Sequence, residues 1–426
     1  MEKLRAVRGM NDILVDETPR WRRIEERFRA LAARYGYGEV RFPLLEPTAL
    51  FVRSIGETTD IVEKEMYTFV DKGEHSLTLR PEGTASAARA FIEHSAHAKQ
   101  PVHKWIYLGP MFRRERPAKG RFRQFHQLGA ELFGDPGPHC DAEMIDMVVA
   151  FLDDIGVRDI QVLVNSLGGP ETRPRYRGAL LAYLRPHAER LCPDCRRRME
   201  TNPLRVLDCK VEADAEVARG APRILDFLGE DDQSHFEDLT ATLEALGTPH
   251  EVDPTLVRGL DYYTRTLFEV RGRGGNLGAQ NALCGGGRYD GLVESLGGPS
   301  TPAIGFAMGI ERLLLTLPPE ADQAPLDAFV AVASPELRVE ATRLCRDLRR
   351  DGLRVDADLR GQSLKSQLRR ADRSGARAAL VLGGDEVARG TVQLKDLRGP
   401  TREDVARDEL AERIRALAAP GPSGDG

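Results

Sequence analysis

Two runs of aromatic and aliphatic residues, Trp105 to Phe112 and Phe122 to Phe133, flank a short cationic segment in which Pro117 and Gly120 mark a turn. Runs of this kind read as the two strands of a long antiparallel hairpin, which fixes an antiparallel pair at this point of the fold. Arg113, Arg114, Arg116, Lys119, Arg121 and Arg123 gather positive charge around the turn, while Glu115, Gln127 and Glu131 place acceptors beside it. Guanidinium groups in such a setting are suited to gripping a polyphosphate.

A chain of 426 residues exceeds one ordinary core and points to two or three domains. Hydrophobic residues at 41% and charged residues at 30% describe a soluble globular enzyme. No apolar run approaches the roughly 20 residues of a membrane helix. The start lacks the apolar core of a signal peptide, and six cysteines without a dense framework fit reduced thiols, so a cytoplasmic location is expected. The formal net charge of -5 carries no global nucleic-acid signature, so RNA contacts must come from local patches.

Pro19 to Tyr35 repeats apolar positions at helical spacing through Trp21, Ile24, Phe28 and Leu31. Val40 to Leu45 reads as a strand interrupted by Pro43, hence one at a sheet boundary. Pro318-Pro319 and Ala324-Pro325 mark a linker. Beyond it, strands at 328–333, 353–358 and 378–382 alternate with helices at 336–351 and 363–374 as a small α/β domain. There Lys365, Arg369, Arg373 and Arg377 recur every fourth residue, which aligns them on one helical face. Gly285, Gly286 and Gly287 permit close backbone approach to a ligand.

The order Phe112-Arg113-Arg114-Glu115, a loop, then Arg121-Phe122-Arg123-Gln124-Phe125-His126-Gln127-Leu128-Gly129-Ala130-Glu131 resembles motif 2 of class II aminoacyl-tRNA synthetases, in the form found in the histidyl-tRNA synthetase family. The resemblance starts at Arg8-Gly9-Met10-Asn11-Asp12. Residues 19–45 are similar to motif 1, Val257 to Glu269 and Leu283 to Leu292 to the two histidyl signature peptides, and Ala303 to Leu314 to motif 3. It implies an α+β fold with a six-stranded antiparallel catalytic sheet and flanking helices, carried by residues 1–170 and 248–320. A helical insertion at 171–247, an α/β anticodon-binding domain at 326–417 and a disordered tail at 418–426 complete the expected organisation.

The same resemblance implies a homodimer that joins histidine to ATP as histidyl-adenylate and then to the 3' end of tRNA(His), with Mg2+ carried in by the ATP. Arg113 would hold the α-phosphate and Glu115 the adenine amino group, with Arg121 and Arg312 as further ATP contacts. Arg258 would bridge the histidine carboxylate and the α-phosphate, which makes Arg258 and Arg113 the expected catalytic residues. Glu82 and Thr84, assisted by Gln127, would bind the α-amino group. Glu131 and Tyr263 would hold the imidazole nitrogens, and Tyr289 would face histidine from the second signature peptide. Arg116, Lys119 and Arg123 would touch the acceptor end of the tRNA, and Lys365, Arg369 and Arg373 the anticodon arm. The alternative reading is the catalytically inactive, histidine-sensing regulatory subunit of ATP phosphoribosyltransferase, which lacks the signature-peptide arginine and usually the terminal domain.

Cys192-x-x-Cys195 followed by Cys209 has zinc-like spacing, but no fourth ligand follows at regular spacing, so ordinary reduced cysteines and no protein-bound metal are expected.

Overall fold

The structure, a computed structural model, describes residues 3–56, 59–274, 281–318 and 326–417. The expected tail and most of the expected linker lie outside these residues. The chain divides into two compact units, Met1–Ala321 and Asp322–Gly426.

The hairpin organises the first unit. His103–Phe112 and Gln124–Phe133 pair antiparallel, from His103 opposite Phe133 to Phe112 opposite Gln124. Across the sheet the order is Gly38–Glu39, His103–Phe112, Gln124–Phe133, Ala303–Gly309, Ala282–Arg288, Thr264–Gly272, Ile160–Ser166 and Glu251–Val252. The six central strands are mutually antiparallel. Two short edge strands pair parallel to their neighbours, so the sheet has eight strands where six were expected. The single strand expected at 40–45 is also replaced. Gly38–Glu39 joins the large sheet, and Leu45–Pro47 joins a three-stranded sheet with Ser76–Leu79 and Tyr67–Val70. Pro43 offers no N–H to a ladder, and the chain changes sheets around it.

The two faces of the large sheet have different compositions, which follows from strand alternation. Ile106, Leu128, Ala130, Leu132, Phe268, Val270, Ile304, Phe306 and Met308 belong to the main core. Helices Thr18–Arg34, Pro138–Asp154 and Glu230–Leu246 close that core, the first with the predicted stripe of Trp21, Ile24, Phe28 and Leu31. The register aligns Gly129, Ala307, Gly285 and Glu269 in one cross-strand row, and Glu131, Gly305 and Gly287 in the next. Small residues thus dominate the other face and leave room above it.

Residues 172–246 are largely helical, but they do not form one body. Tyr176, Leu180, Leu184, Leu191, Cys195, Met199, Val206 and Val217 make a second core, together with Val257, Tyr263 and Leu267. The last helix, Glu230–Leu246, buries Leu239 and Leu243 in the main core instead. It packs with the large sheet because its apolar positions face helix Pro138–Asp154.

The second unit is a five-stranded sheet, ordered Val355–Ala357, Ala328–Val332, Ala378–Leu382, Thr391–Asp396 and Arg402–Ala406. Helix Leu364–Arg373 is fastened to it by buried Gln367, which donates to Val332 O and accepts from Val332 N–H, both at 2.9 Å. Among the described residues no helix is long and apolar enough to cross a membrane.

Candidate active site

A cleft with a cavity volume of about 140 Å³ opens over the glycine-rich face of the large sheet. Its walls include Glu82, Thr84, Arg113, Glu115, Arg121, Gln127, Arg258, Tyr263, Glu311 and Arg312, and its floor includes Gly285, Ala307 and Gly309. The four arginines and parts of both expected signature peptides, Tyr262 and Tyr263 from one and Leu283 to Gly285 from the other, therefore converge on one space.

The hairpin supplies one end. Arg113 Nε donates to Pro81 O at 2.9 Å, and its guanidinium lies 5.3 Å from the centroid of the Phe125 ring. Arg121 pairs with the carboxylate of Glu115, across the turn bridged by Ala118 and Arg121. The strand Ala303–Gly309 runs directly into helix Ile310–Thr316, which brings Arg312 back to donate to Ala282 O at 2.8 Å. Burial, and then the like charge of Arg121, push the Arg312 pKa down. Four guanidinium groups so placed are mutually repulsive, and a polyanion relieves that repulsion.

Arg258 lies at the centre. Its Nη1 donates to Glu269 Oε2, and Arg271 donates to the other oxygen of the same carboxylate at 2.6 Å. Burial is the largest influence and would lower the Arg258 pKa, but the Glu269 charge together with Tyr263, Cys284 and Asp208 holds the group above its ordinary value. A Cβ at Gly285 would sit 2.1 Å from Arg258 Nη2, so only glycine admits this arginine.

The opposite end is a buried polar network. Glu82 precedes helix Thr84–Glu93 and accepts from the N–H groups of Thr84 and Ala85 at 2.8 and 2.7 Å. Thr84 Oγ1 donates to Glu131 Oε1 at 2.7 Å, and the Tyr289 hydroxyl donates to Glu131 Oε2. Burial pushes the Glu131 carboxyl up to about 8 against these donors. Gln127 Oε1, by contrast, is buried without a hydrogen-bond partner and borders the cleft.

Several placements differ from the sequence expectation. Glu131 and Tyr289 are fully buried on the cleft side of the sheet, behind Thr84 at the end of the cleft, where the Thr84 and Tyr289 hydroxyls take up the carboxylate. Arg123 is half-buried and donates to Glu115 O at 3.2 Å and Arg8 O at 3.3 Å, so it fastens the hairpin to the N-terminal segment. Arg116 and Lys119 remain exposed on the turn. In the second unit Lys365, Arg369 and Arg373 are exposed on one helix, whereas Arg377 falls beyond its end. Lys365 and Arg369 share a shallow groove with Lys395.

Sequence reasoning missed Glu269, Phe125 and Glu311. Most of their partners lie elsewhere in the chain, as when Glu311 accepts from the His126 N–H at 2.9 Å. It also missed the support under Tyr289. Arg288 and Asp141, both fully buried, pair at 2.5 Å, and Asp141 also accepts from Thr266 at 2.6 Å and contacts His235 at 2.9 Å.

An antiparallel sheet with an arginine-bearing hairpin, a glycine floor and a strand that delivers an arginine at a helix start is the catalytic architecture of class II aminoacyl-tRNA synthetases. The sequence comparisons narrow this. The family model described as histidyl-tRNA synthetase matches residues 9–313, and that described as anticodon binding domain matches 327–417. The histidine–tRNA ligase of Sorangium cellulosum (strain So ce56) is 55% identical over 420 residues, 98% of each chain. That of Geobacter metallireducens is 50% identical, covering 95% of this chain and 98% of the relative. The crystal structure of apo S. aureus histidyl-tRNA synthetase superposes with a TM-score of 0.82 at 37% identity, covering 97% of this chain and all of that one. The chain belongs to the histidyl-tRNA synthetase family.

Proposed function

We infer that the protein is a histidine–tRNA ligase, and that its cleft forms histidyl-adenylate before the histidyl group passes to tRNA(His). The observation that carries this reading is Arg258, held by Glu269 over a glycine floor and facing the arginines of the hairpin. A carboxylate oxygen of histidine attacks the α-phosphorus of ATP, the bond to the β-phosphate oxygen breaks, and pyrophosphate leaves. Negative charge accumulates on the phosphoryl oxygens during that step, and fixed guanidinium groups stabilise it without reorganising. Arg258 and Arg113 serve as the catalytic pair. Arg121 and Arg312 take the outer phosphates or the base, and Glu115 receives the adenine amino group. A ribose hydroxyl of the tRNA then attacks the carbonyl carbon and AMP leaves.

Histidine lies toward the network end. Glu82, Thr84 and the unpartnered Gln127 oxygen meet its α-amino group, and Tyr263 and Glu131 hold the imidazole, with Tyr289 behind them bonded to Glu131. A pocket of matched donors and acceptors rejects apolar isosteres because they strand buried polar groups. Glu311 on the cleft wall offers hard oxygen of the kind Mg2+ takes, and that ion supplies charge neutralisation to the triphosphate.

Arg116 and Lys119 meet the tRNA acceptor end, and Lys365, Arg369 and Arg373 its anticodon arm. A homodimer is supported by exposed Leu44, Leu45, Phe69 and Val70, which lie on or beside the three-stranded sheet in the motif 1 region. A cytoplasmic setting fits the free cysteines. The regulatory-subunit alternative is not favoured, since Arg258, Arg113 and Arg312 are in place and the anticodon-binding domain is present. The test is histidine-dependent exchange of labelled pyrophosphate into ATP. Exchange with histidine alone is expected; a folded protein that binds histidine without exchange would overturn the reading.

A further inference from the structure

We propose that Cys192, Cys195, Cys209 and Asp214 form a structural zinc site inside the helical segment that follows the hairpin unit. Three sulfurs and one carboxylate oxygen all lie within 4.8 Å of one another. A tetrahedral zinc with bonds of roughly 2.3 Å to sulfur spaces its sulfur ligands about 3.8 Å apart. Cys192 Sγ and Cys209 Sγ are 4.0 Å apart, near that spacing and far from the roughly 2.05 Å of a disulfide.

Asp214 was invisible as a ligand in the sequence because it lies on a different helix, Glu212–Arg219, with no fixed spacing to the cysteines. It is fully buried. Its Oδ1 accepts from the Cys192 N–H at 3.0 Å, while Oδ2 is buried with no hydrogen-bond partner. The three thiols surround this carboxylate, so four ligand atoms converge on one small space of the kind a cation fills. The Cys195 N–H donates to Cys192 Sγ at 3.4 Å, the kind of outer hydrogen bond that orients and stabilises a metal-bound thiolate. Binding would release the three thiol protons to solvent and leave a zinc site with three thiolates and one carboxylate.

The location gives the site a task. Between Cys195 and Cys209 the chain sends Arg198 and Arg205 to Asp60, at 2.9 and 3.2 Å, and Asn202 to Asp261, at 2.7 Å. Asp261 lies in the signature peptide that carries Arg258 and Tyr263. A zinc staple would fix the segment that braces this peptide.

The experiment is elemental analysis of protein purified under reducing conditions from zinc-supplemented cells, beside absorption spectra after cobalt substitution. About one zinc per chain and the sulfur-to-cobalt charge-transfer bands of a tetrahedral thiolate site are expected. Cys209→Ser and Asp214→Ala should each reduce zinc content and alter the cobalt spectrum. Asp214→Asn, which keeps the carbonyl acceptor for Cys192 N–H, should do the same if the carboxylate ligates. Metal-free protein with no cobalt–thiolate bands would overturn the proposal, as would a Cys192–Cys209 disulfide found by mass spectrometry of the purified protein. If a cysteine variant fails to fold, the Asp214→Asn spectrum still decides.

Discussion

Arg258 and Glu269 are 11 residues apart and form an ion pair, Nη1 to Oε2, across a strand floor that has room for it only because Gly285 carries no side chain. The carboxylate is shared with Arg271, so its orientation is fixed from two sides. A guanidinium held this way is aimed before substrate arrives, and preorganisation of this kind costs nothing at the moment of reaction.

Arg258→Ala is therefore expected to reduce histidine-dependent pyrophosphate exchange about 10²- to 10³-fold, the usual scale for deleting a preorganised charge stabiliser. Arg258→Lys should recover little, since a point charge does not reproduce a planar fork. Exchange rates for both variants at saturating histidine provide the check; wild-type rates would remove Arg258 from the mechanism.

Glu131 gives the apo protein a particular pH response. Its folded pKa of about 8 lies above the carboxylate value of the unfolded chain, so the folded state binds the extra proton. Its contribution is fully present below about pH 4 and declines as pH rises toward 8. Glu131→Gln does not titrate. The variant's melting temperature minus that of wild type should thus increase between about pH 5 and pH 8. A difference independent of pH would contradict this, and the histidine KM of the same variant should rise.

The buried Arg288–Asp141 pair should be structural. Both side chains are fully buried, and Arg288 also donates to the Asp135 and Gly137 carbonyls at 3.0 and 3.1 Å. Asp141→Ala leaves that guanidinium uncompensated and should destabilise the first unit by roughly 3–5 kcal/mol. Chemical denaturation followed by tryptophan fluorescence reads it, since Trp21 and Trp105 both lie in the first unit.

Exposed cations of the second unit should act on tRNA and not on adenylation. Lys365→Glu with Arg369→Glu is expected to raise the KM for tRNA about tenfold or more and to flatten its salt dependence. Pyrophosphate exchange, which needs no tRNA, should stay at the wild-type rate. Equal loss in both assays would mean that this helix does not serve recognition.

Gly305 is the most constrained floor position. A Cβ there would lie 1.6 Å from Glu131 Oε2, so Gly305→Ala must displace the carboxylate or the strand. A lowered melting temperature together with an increased histidine KM is expected, and neither would change if the sheet could yield freely.

Local chemistry was legible wherever the signal is carried by neighbours in sequence. The hairpin, the apolar stripe of helix Thr18–Arg34 and the alternating terminal unit follow from period and turn residues alone. So does the set of arginines, because their order in the chain resembles a known family. The edges of the large sheet were not legible, since strands of two residues carry no periodicity. Nor was the pairing of Arg123, which depends on where Arg8 and Glu115 place their carbonyls.

By itself the sequence determined which runs form strands and which residue types gather at the cleft, for these depend on spacing and side-chain chemistry. Only the tertiary structure decided which acceptor each cation meets. It set Glu269 against Arg258, Asp141 against Arg288, and Asp214 beside three cysteines. Such pairs join residues that strand register and helix packing bring within a few ångströms. Desolvation makes buried pairing energetically demanding, yet no short-range pattern in the chain encodes it.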